Sequence, residues 1–167
     1  MLQQKMKGIL RKLRNTLRRK KSFIDMIEKG ENCRLIDCTC SSEPYLVRLG
    51  DHVSATRTHF ETHDGAVWVF REKNPEWDII KPINIGNNVY IGTGCIILPG
   101  VNIGDNVIIG AGSVVTRNIP SGTVYAGIPA RFIKSLEEYK EKISESVHPT
   151  KKLSWSAKKE YYLDLFR

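Results

Sequence analysis

An aliphatic residue returns every six positions along one stretch of this chain, at Ile85, Ile91, Ile97, Ile103, Ile109 and Val115. The stretch reads IGNNVY, IGTGCI, ILPGVN, IGDNVI, IGAGSV, VTRNIP. Glycine follows the aliphatic residue at Gly86, Gly92, Gly104 and Gly110, and a small or aliphatic residue stands four places after it at Val89, Cys95, Val101, Val107, Ser113 and Ile119. The same phase is present upstream in Leu49-Gly50-Asp51-His52-Val53. Alternating antiparallel strands would show period two and would not explain the glycines. Period six describes a short strand followed by a tight turn, and three such units close a triangular coil of about eighteen residues. The aliphatic side chain points into the prism and stacks on its equivalent in the next coil. Gly, Asn and Asp take turn conformations that β-branched residues avoid. The expected fold is therefore mainly β, a parallel β-helix over residues 31–130, with residues 33–48 forming an irregular first coil.

The rhythm breaks at residues 64–84, whose sequence HDGAVWVFREKNPEWDIIKP (63–82) mixes aromatics, charges and two prolines. An insertion leaving a solenoid at one corner tends to emerge on a functional face, so this segment reads as a loop over a substrate. Residues 1–30 read as an N-terminal amphipathic basic helix, with Leu2, Met6, Leu10, Leu13 and Leu17 on one stripe and Gly30 as the stop. Residues 131–167 read as a helical tail, one helix over 131–147 and a second over 154–167. Tyr161, Tyr162, Leu165 and Phe166 are candidates to dock the second helix.

Net charge is +8, and nine Lys or Arg with no acid fall between Lys5 and Lys21. For residues 1–29 the stripe suits packing on the domain or on a second subunit first, and peripheral contact with an anionic membrane second. Few aromatics are interleaved for base stacking, so nucleic acid is not an expected partner. No stretch approaches the ~18 apolar residues of a spanning helix, and the N-terminal charges do not precede an apolar block as in a secretory signal. The expected location is cytoplasmic, with peripheral attachment to the inner membrane face as an option. The four cysteines, Cys33, Cys38, Cys40 and Cys95, have neither zinc-knuckle nor disulfide-framework spacing and are expected to be reduced thiols, with no metal.

Two segments carry a more specific signal: SEPYLVRLGDHV at 42–53 and THDGAVWVFR at 62–71. Together with the repeat they resemble the bacterial polysaccharide and sugar O-acetyltransferases of the hexapeptide-repeat acyltransferase superfamily. The resemblance spans roughly residues 33–134 and leaves both terminal helices outside its motifs. It implies a left-handed coil, acetyl-CoA as co-substrate, a homotrimer with sites between subunits, and His63 of the T-H-D segment as general base. It also implies that Asn88–Gly92, Gly110–Thr116 and Gly127–Arg131 line the acetyl-CoA groove: Tyr90, Gly92, Gly110, Ala111, Gly112, Thr116, Pro129 and Ala130 along the pantetheine, with Arg131 and Lys134 at the phosphates. The chain departs from the family at Ser54–His59 (SATRTH), which is polar and a candidate for a shortened repeat. The registers of His59 and Glu61 stay open for that reason.

The chemistry suits those residues. Acetyl transfer to an alcohol needs a base near neutral pH, which an imidazole supplies. It also needs donors for the tetrahedral oxyanion, which backbone N–H groups of glycine turns supply. Glu61 or Asp64 is expected to orient His63. His59, at the small-residue, inward position of its repeat by period-six counting, is with Trp68 and Glu72 a candidate acceptor contact. Asp78 is a further loop acid for sugar hydroxyls or solvent, and His52 reads as a solvated turn residue and His148 as part of a polar linker. The leading expectation is acetyl-CoA-dependent O-acetylation of a saccharide, in surface polysaccharide (capsule or O-antigen) or related sugar modification. Alternatives are N-acetylation of an amino-sugar nucleotide or antibiotic, with Glu61 at the amine, and a non-catalytic β-helix scaffold or membrane-associated protein. A hexapeptide carbonic anhydrase would need three metal-binding histidines, and repeat arithmetic sets His52 and His59 on other faces than His63.

Overall fold

The computed structural model describes residues 23–167, so the basic segment 1–22 expected to be helical lies outside the described residues. Within the described part of that expectation there is no α-helix. Phe23–Asp25 form one 3-10 turn, and Glu28–Lys29 are already strand β1. The β-helix therefore begins slightly before residue 31.

Four coils follow, each contributing one strand to each of three faces. The first holds β1, β2 (Arg34–Ile36) and β3 (Thr39–Cys40); the second holds β4 (Val47–Leu49), β5 (Ser54–Thr56) and β6 (His59–Phe60). The third holds β7 (Ile83–Ile85), β8 (Val89–Ile91) and β9 (Ile96–Ile97); the fourth holds β10 (Asn102–Ile103), β11 (Val107–Ile109) and β12 (Val114–Val115). The faces are sheets in the order β1-β4-β7-β10 (face A), β2-β5-β8-β11 (face B) and β3-β6-β9-β12 (face C), all parallel. Strand β13 (Thr123–Gly127) continues face B in parallel, and β14 (Ala130–Ser135) returns antiparallel to close that edge. Residues 131–135, expected to be helical, are thus strand: pairing with β13 satisfies an edge that a helix would leave open. The helix begins only at Leu136.

The period-six residues fill the prism. Ile91, Ile97, Ile109 and Val115 are buried to within 2% of complete, together with Val89, Cys95, Val101 and Val107 at the second inward position. Between faces A and B the corners stack as a polar ladder. Glu31 N–H donates to Asp51 Oδ1 at 2.7 Å, Asp51 N–H to Asn87 Oδ1 at 2.8 Å, Asn87 N–H to Asp105 Oδ1 at 2.6 Å, and Asp105 N–H to Ser121 Oγ at 2.9 Å. The next residue in each corner is left-handed: Asn32, His52, Asn88 and Asn106 have φ of 54–57°, a conformation that asparagine tolerates and β-branched residues do not. His52 is therefore a turn residue as expected, and it is held there: its Nδ1 lies 2.9 Å from Asn88 Oδ1, while Asn88 Nδ2 donates to Asn106 Oδ1 at 2.7 Å.

The shortened repeat is real and sits at the corner between faces B and C. Ala55 pairs with Ile91, yet Phe60 pairs with Ile97, so this corner of the second coil is one residue shorter than that of the third. Thr58 and Phe60 become the inward pair, both at 0% exposure, and Phe60 stacks on Phe23 at 5.6 Å. His59 is consequently turned outward onto face C, not inward as period-six counting places it.

Residues 137–167 form a separate compact unit. It contains most of helix α1 (Leu136–Ile143) and helix α2 (Trp155–Leu165), whose N-cap Ser154 accepts from Ala157 N–H at 3.3 Å. His148, expected in a polar linker, hydrogen-bonds Tyr161 at 2.9 Å and lies edge-on to Tyr161 and Tyr162. Among the described residues no helix is long and apolar enough to cross a membrane.

Candidate active site

The coil opens at His63. Phe60 ends β6 facing inward, so the chain turns the corner from face C through Glu61, Thr62 and His63 into the inserted loop. The loop is pinched at its neck by an antiparallel bridge between His63 and Ile80. Asp64 N–H donates to Ile79 O at 2.8 Å, and Lys81 N–H donates to Thr62 O at 2.9 Å. Closure of this neck brings Asp78 onto the imidazole: Asp78 Oδ1 lies 2.7 Å from His63 Nε2. The contact is an ion-pair approach without hydrogen-bond alignment, and Nε2 is itself buried. On the other side of the ring, Ser42 Oγ lies 3.2 Å from Nδ1.

Neither carboxylate expected to orient His63 touches it. Asp64 Oδ1 instead accepts from Ala66 N–H at 3.0 Å and caps the 3-10 turn Gly65–Phe70. Glu61 Oε2 lies 3.1 Å from His59 Nε2, and His59 Nδ1 lies 2.8 Å from Thr39 Oγ1. The sequence offers Asp78 as a loop acid for sugar hydroxyls or for solvent, not as a partner of His63. Its part in the site depends on the loop neck, which no spacing rule encodes.

Beneath the site is a buried polar network. Thr62, fully buried, donates from Oγ1 to the buried Glu43 carboxylate at 3.3 Å; Ser41 Oγ lies 2.8 Å from Thr62 Oγ1 and accepts Thr62 N–H at 2.8 Å. This network sets the backbone of the residue preceding His63. Thr62→Val keeps the shape but leaves Glu43 and Ser41 short of a partner, and is expected to cost about 1–3 kcal/mol, measurable as a lower denaturation midpoint at unchanged m-value.

Glu61, His63, Asp64, Gly65, Leu98 and Pro99 line an open cavity of about 260 Å³. Of the other expected acceptor contacts, Trp68 is 75% exposed on the loop, and Glu72 is exposed there too.

The residues expected to hold acetyl-CoA are distributed differently. Gly92 and Gly110–Gly112 lie at the corner between faces B and C, whereas His63 lies beyond face C, at the corner towards face A. Thr116, exposed, is at the His63 corner. A Cβ on Gly92 would come within 2.4 Å of Ala111 N, and one on Gly110 within 2.8 Å of Ala126 Cβ, so both glycines serve coil stacking. Gly112 has φ +69° and open space where a Cβ would stand, as does Gly94 with φ +77°. These two stack at one corner through Gly112 N–H to Thr93 O at 2.9 Å, beside the exposed Ala111, and give bare backbone that a slender ligand could follow. Gly94 was not singled out from the sequence, although its place in the repeat matches Gly112. Tyr90 is outward and half exposed on face B, in one lateral register with Ile108, Val124 and Lys134. Pro129 is exposed, Ala130 is buried, and Arg131 is exposed on β14 with Nη1 donating to Ala130 O at 3.1 Å. Within one chain, then, Thr116 shares the corner of His63, while Gly92 and Gly110–Gly112 stand on the opposite side of face C.

Burial pushes the thiols of Cys38, Cys40 and Cys95 up from their ordinary range, so they are poor nucleophiles at neutral pH. Among the described residues no group of three His, Cys, Asp or Glu side chains gathers as metal ligands would.

Residues 82–117 match the bacterial transferase hexapeptide (six repeats) family. Protein CapG of Staphylococcus aureus is 51% identical over 145 residues, covering 84% of this chain and 84% of its own length. The galactoside O-acetyltransferase of Escherichia coli K12 is 56% identical over 97 residues, covering 58% of this chain and 47% of its own length. The structure of a galactoside acetyltransferase in complex with coenzyme A superposes with a TM-score of 0.53 at 28% identity, over 68% of this chain and 67% of that one.

Proposed function

The chain belongs to the hexapeptide-repeat acyltransferases, left-handed parallel β-helix proteins, and from that premise we propose that it transfers acetyl from acetyl-CoA to a saccharide hydroxyl with His63 as general base. It is an acetyltransferase with acetyl-CoA as donor. The acceptor is a sugar of a surface polysaccharide, capsule or O-antigen precursor or a related glycan. The observation that carries the reading is the His63–Asp78 pair at the mouth of a cavity where the coil opens into its loop.

Asp78 Oδ1 stands against Nε2 and Ser42 Oγ against Nδ1, and in this reading Nδ1 takes the acceptor proton once the acceptor displaces Ser42. In the reaction, the acceptor oxygen attacks the thioester carbonyl carbon as its proton passes to His63. Collapse of the tetrahedral intermediate forms the ester and breaks the carbon–sulfur bond, and the imidazolium returns the proton to the leaving thiolate. Asp78 stabilises the imidazolium between those steps, and backbone N–H groups of the coil turns face the developing oxyanion. General-base assistance of this kind contributes a factor of roughly 10²–10⁴.

The open backbone at Gly94 and Gly112 suits a pantetheine arm, with Arg131 and Lys134 for its phosphates. Because face C separates that corner from His63, the acetyl-CoA groove of one subunit serves the His63 of a neighbour in a homotrimer. Outward Ile96 and Val114 beside His59 give face C an apolar contact surface. The test is free thiol released from acetyl-CoA across a panel of sugars. Acceptor-dependent release with a new ester on the sugar is expected; absence of both release and coenzyme A binding would favour a scaffold.

A further inference from the structure

We propose that Glu61 selects the acceptor: its carboxylate takes a hydrogen bond from a hydroxyl or ammonium group neighbouring the reacting hydroxyl, and it excludes sugars carrying a carboxylate there. The proposal rests on the acetyl-transfer reading and deepens it.

The side chain is placed for this by the shortened repeat. With Phe60 inward, Glu61 is the first residue beyond β6, its N–H bonded to Ile97 O at 2.8 Å, and it lines the same cavity as His63. It is clamped as well as placed. His59 Nε2 holds Oε2 at 3.1 Å, and Thr39 holds the far side of the His59 ring at 2.8 Å. Neither His59 nor Thr39 lines the cavity, so this pair fixes Glu61 without competing for the acceptor. A carboxylate has about four lone-pair sites, and the His59 contact uses one of them.

The sign of the cavity points the same way. Its charged walls are Glu61 and Asp64, Asp78 stands against His63, and neither Lys nor Arg is among its lining residues. Asp78 is matched by the imidazolium that forms in the reaction, and Asp64 is tied to Ala66 N–H. Glu61 is the carboxylate left to meet the substrate. Like charges a few ångströms apart in a partly desolvated cleft repel strongly enough to change binding by a factor of ten or more. An uncharged or amino sugar meets no such repulsion.

The experiment compares kcat/KM for a methyl hexopyranoside, the matching uronate and the matching 2-amino sugar, using the intact protein and Glu61→Gln. The intact protein is expected to prefer the neutral or amino sugar over the uronate by at least about tenfold. Glu61→Gln, isosteric and on the surface of the coil, should cut that preference by about tenfold through acceptor KM while leaving the KM for acetyl-CoA unchanged. His59→Gln, which releases the clamp, should raise acceptor KM by a smaller factor. Equal use of the uronate by the intact protein overturns the proposal, and so does a Glu61→Gln variant that slows every acceptor alike; acetyl transfer itself would stand in both cases. Transfer to none of the three sugars overturns the proposal together with the reading beneath it.

Discussion

Replacing His63 by alanine is expected to lower kcat for acetyl transfer by about 10²–10⁴-fold with little change in the KM for acetyl-CoA. His63 is half-buried at the loop neck, with Asp78 and Ser42 on its two ring nitrogens. It is the only histidine among those that line the cavity. His59 contacts Glu61 from face C, His52 belongs to the corner ladder, and His148 packs against Tyr161 and Tyr162 in the C-terminal unit. Steady-state thiol release with a sugar acceptor checks the prediction. Asp78→Asn should give a smaller loss than His63→Ala, because the base remains and only the stabilisation of its protonated form is reduced. Unchanged turnover in His63→Ala would remove the general-base role and turn attention to His59.

Phe60→Ala is expected to destabilise the fold by about 3–5 kcal/mol, the usual cost of deleting a fully buried aromatic ring. Phe60 has 0% exposure and stacks on Phe23 at 5.6 Å. It is the residue that takes up the missing position of the shortened repeat, and its ring fills the inward place above Ile97. In a chain of this length such a loss lowers the melting temperature by roughly 10 °C. Calorimetry or circular dichroism would detect it. The effect should reach activity too, because Glu61, Thr62 and His63 follow Phe60 directly and depend on its inward anchoring. A melting temperature within a degree or two of the intact protein would mean that the register at β6 is set by something other than this ring.

Much of the fold could be read from the repeat. Ile85 to Val115 were placed inward by counting in sixes, and each pairs in register with its equivalent one coil away. The turn residues within the counted repeats were legible for the same reason: His52, Asn88 and Asn106 stand where the corner needs a left-handed residue. Counting failed where the repeat itself loses a residue. His59 was assigned to an inward position, while the missing residue at the corner passes that position to Thr58 and turns His59 out. It failed again at residues 131–135, where charged and apolar residues suggested a helix but an unpaired strand edge on face B was available. The loop was recognised as an interruption and His63 as its first functional residue, but Asp78 was not recognised as the partner of His63.

The division has a physical cause. A β-helix is specified by interactions between a residue and its equivalents one coil away, so a six-residue pattern repeated along the chain determines the inward face, the turns and the stacking without further information. The sequence by itself therefore determined the prism, its glycine and asparagine corners, and the place where His63 leaves it. Asp78 meets His63 because the inserted loop closes on itself through the Asp64–Ile79 and Lys81–Thr62 hydrogen bonds, and Glu61 faces the cavity because Phe60 fills the prism. Both are consequences of how non-repeating segments pack, and only the tertiary structure decided them.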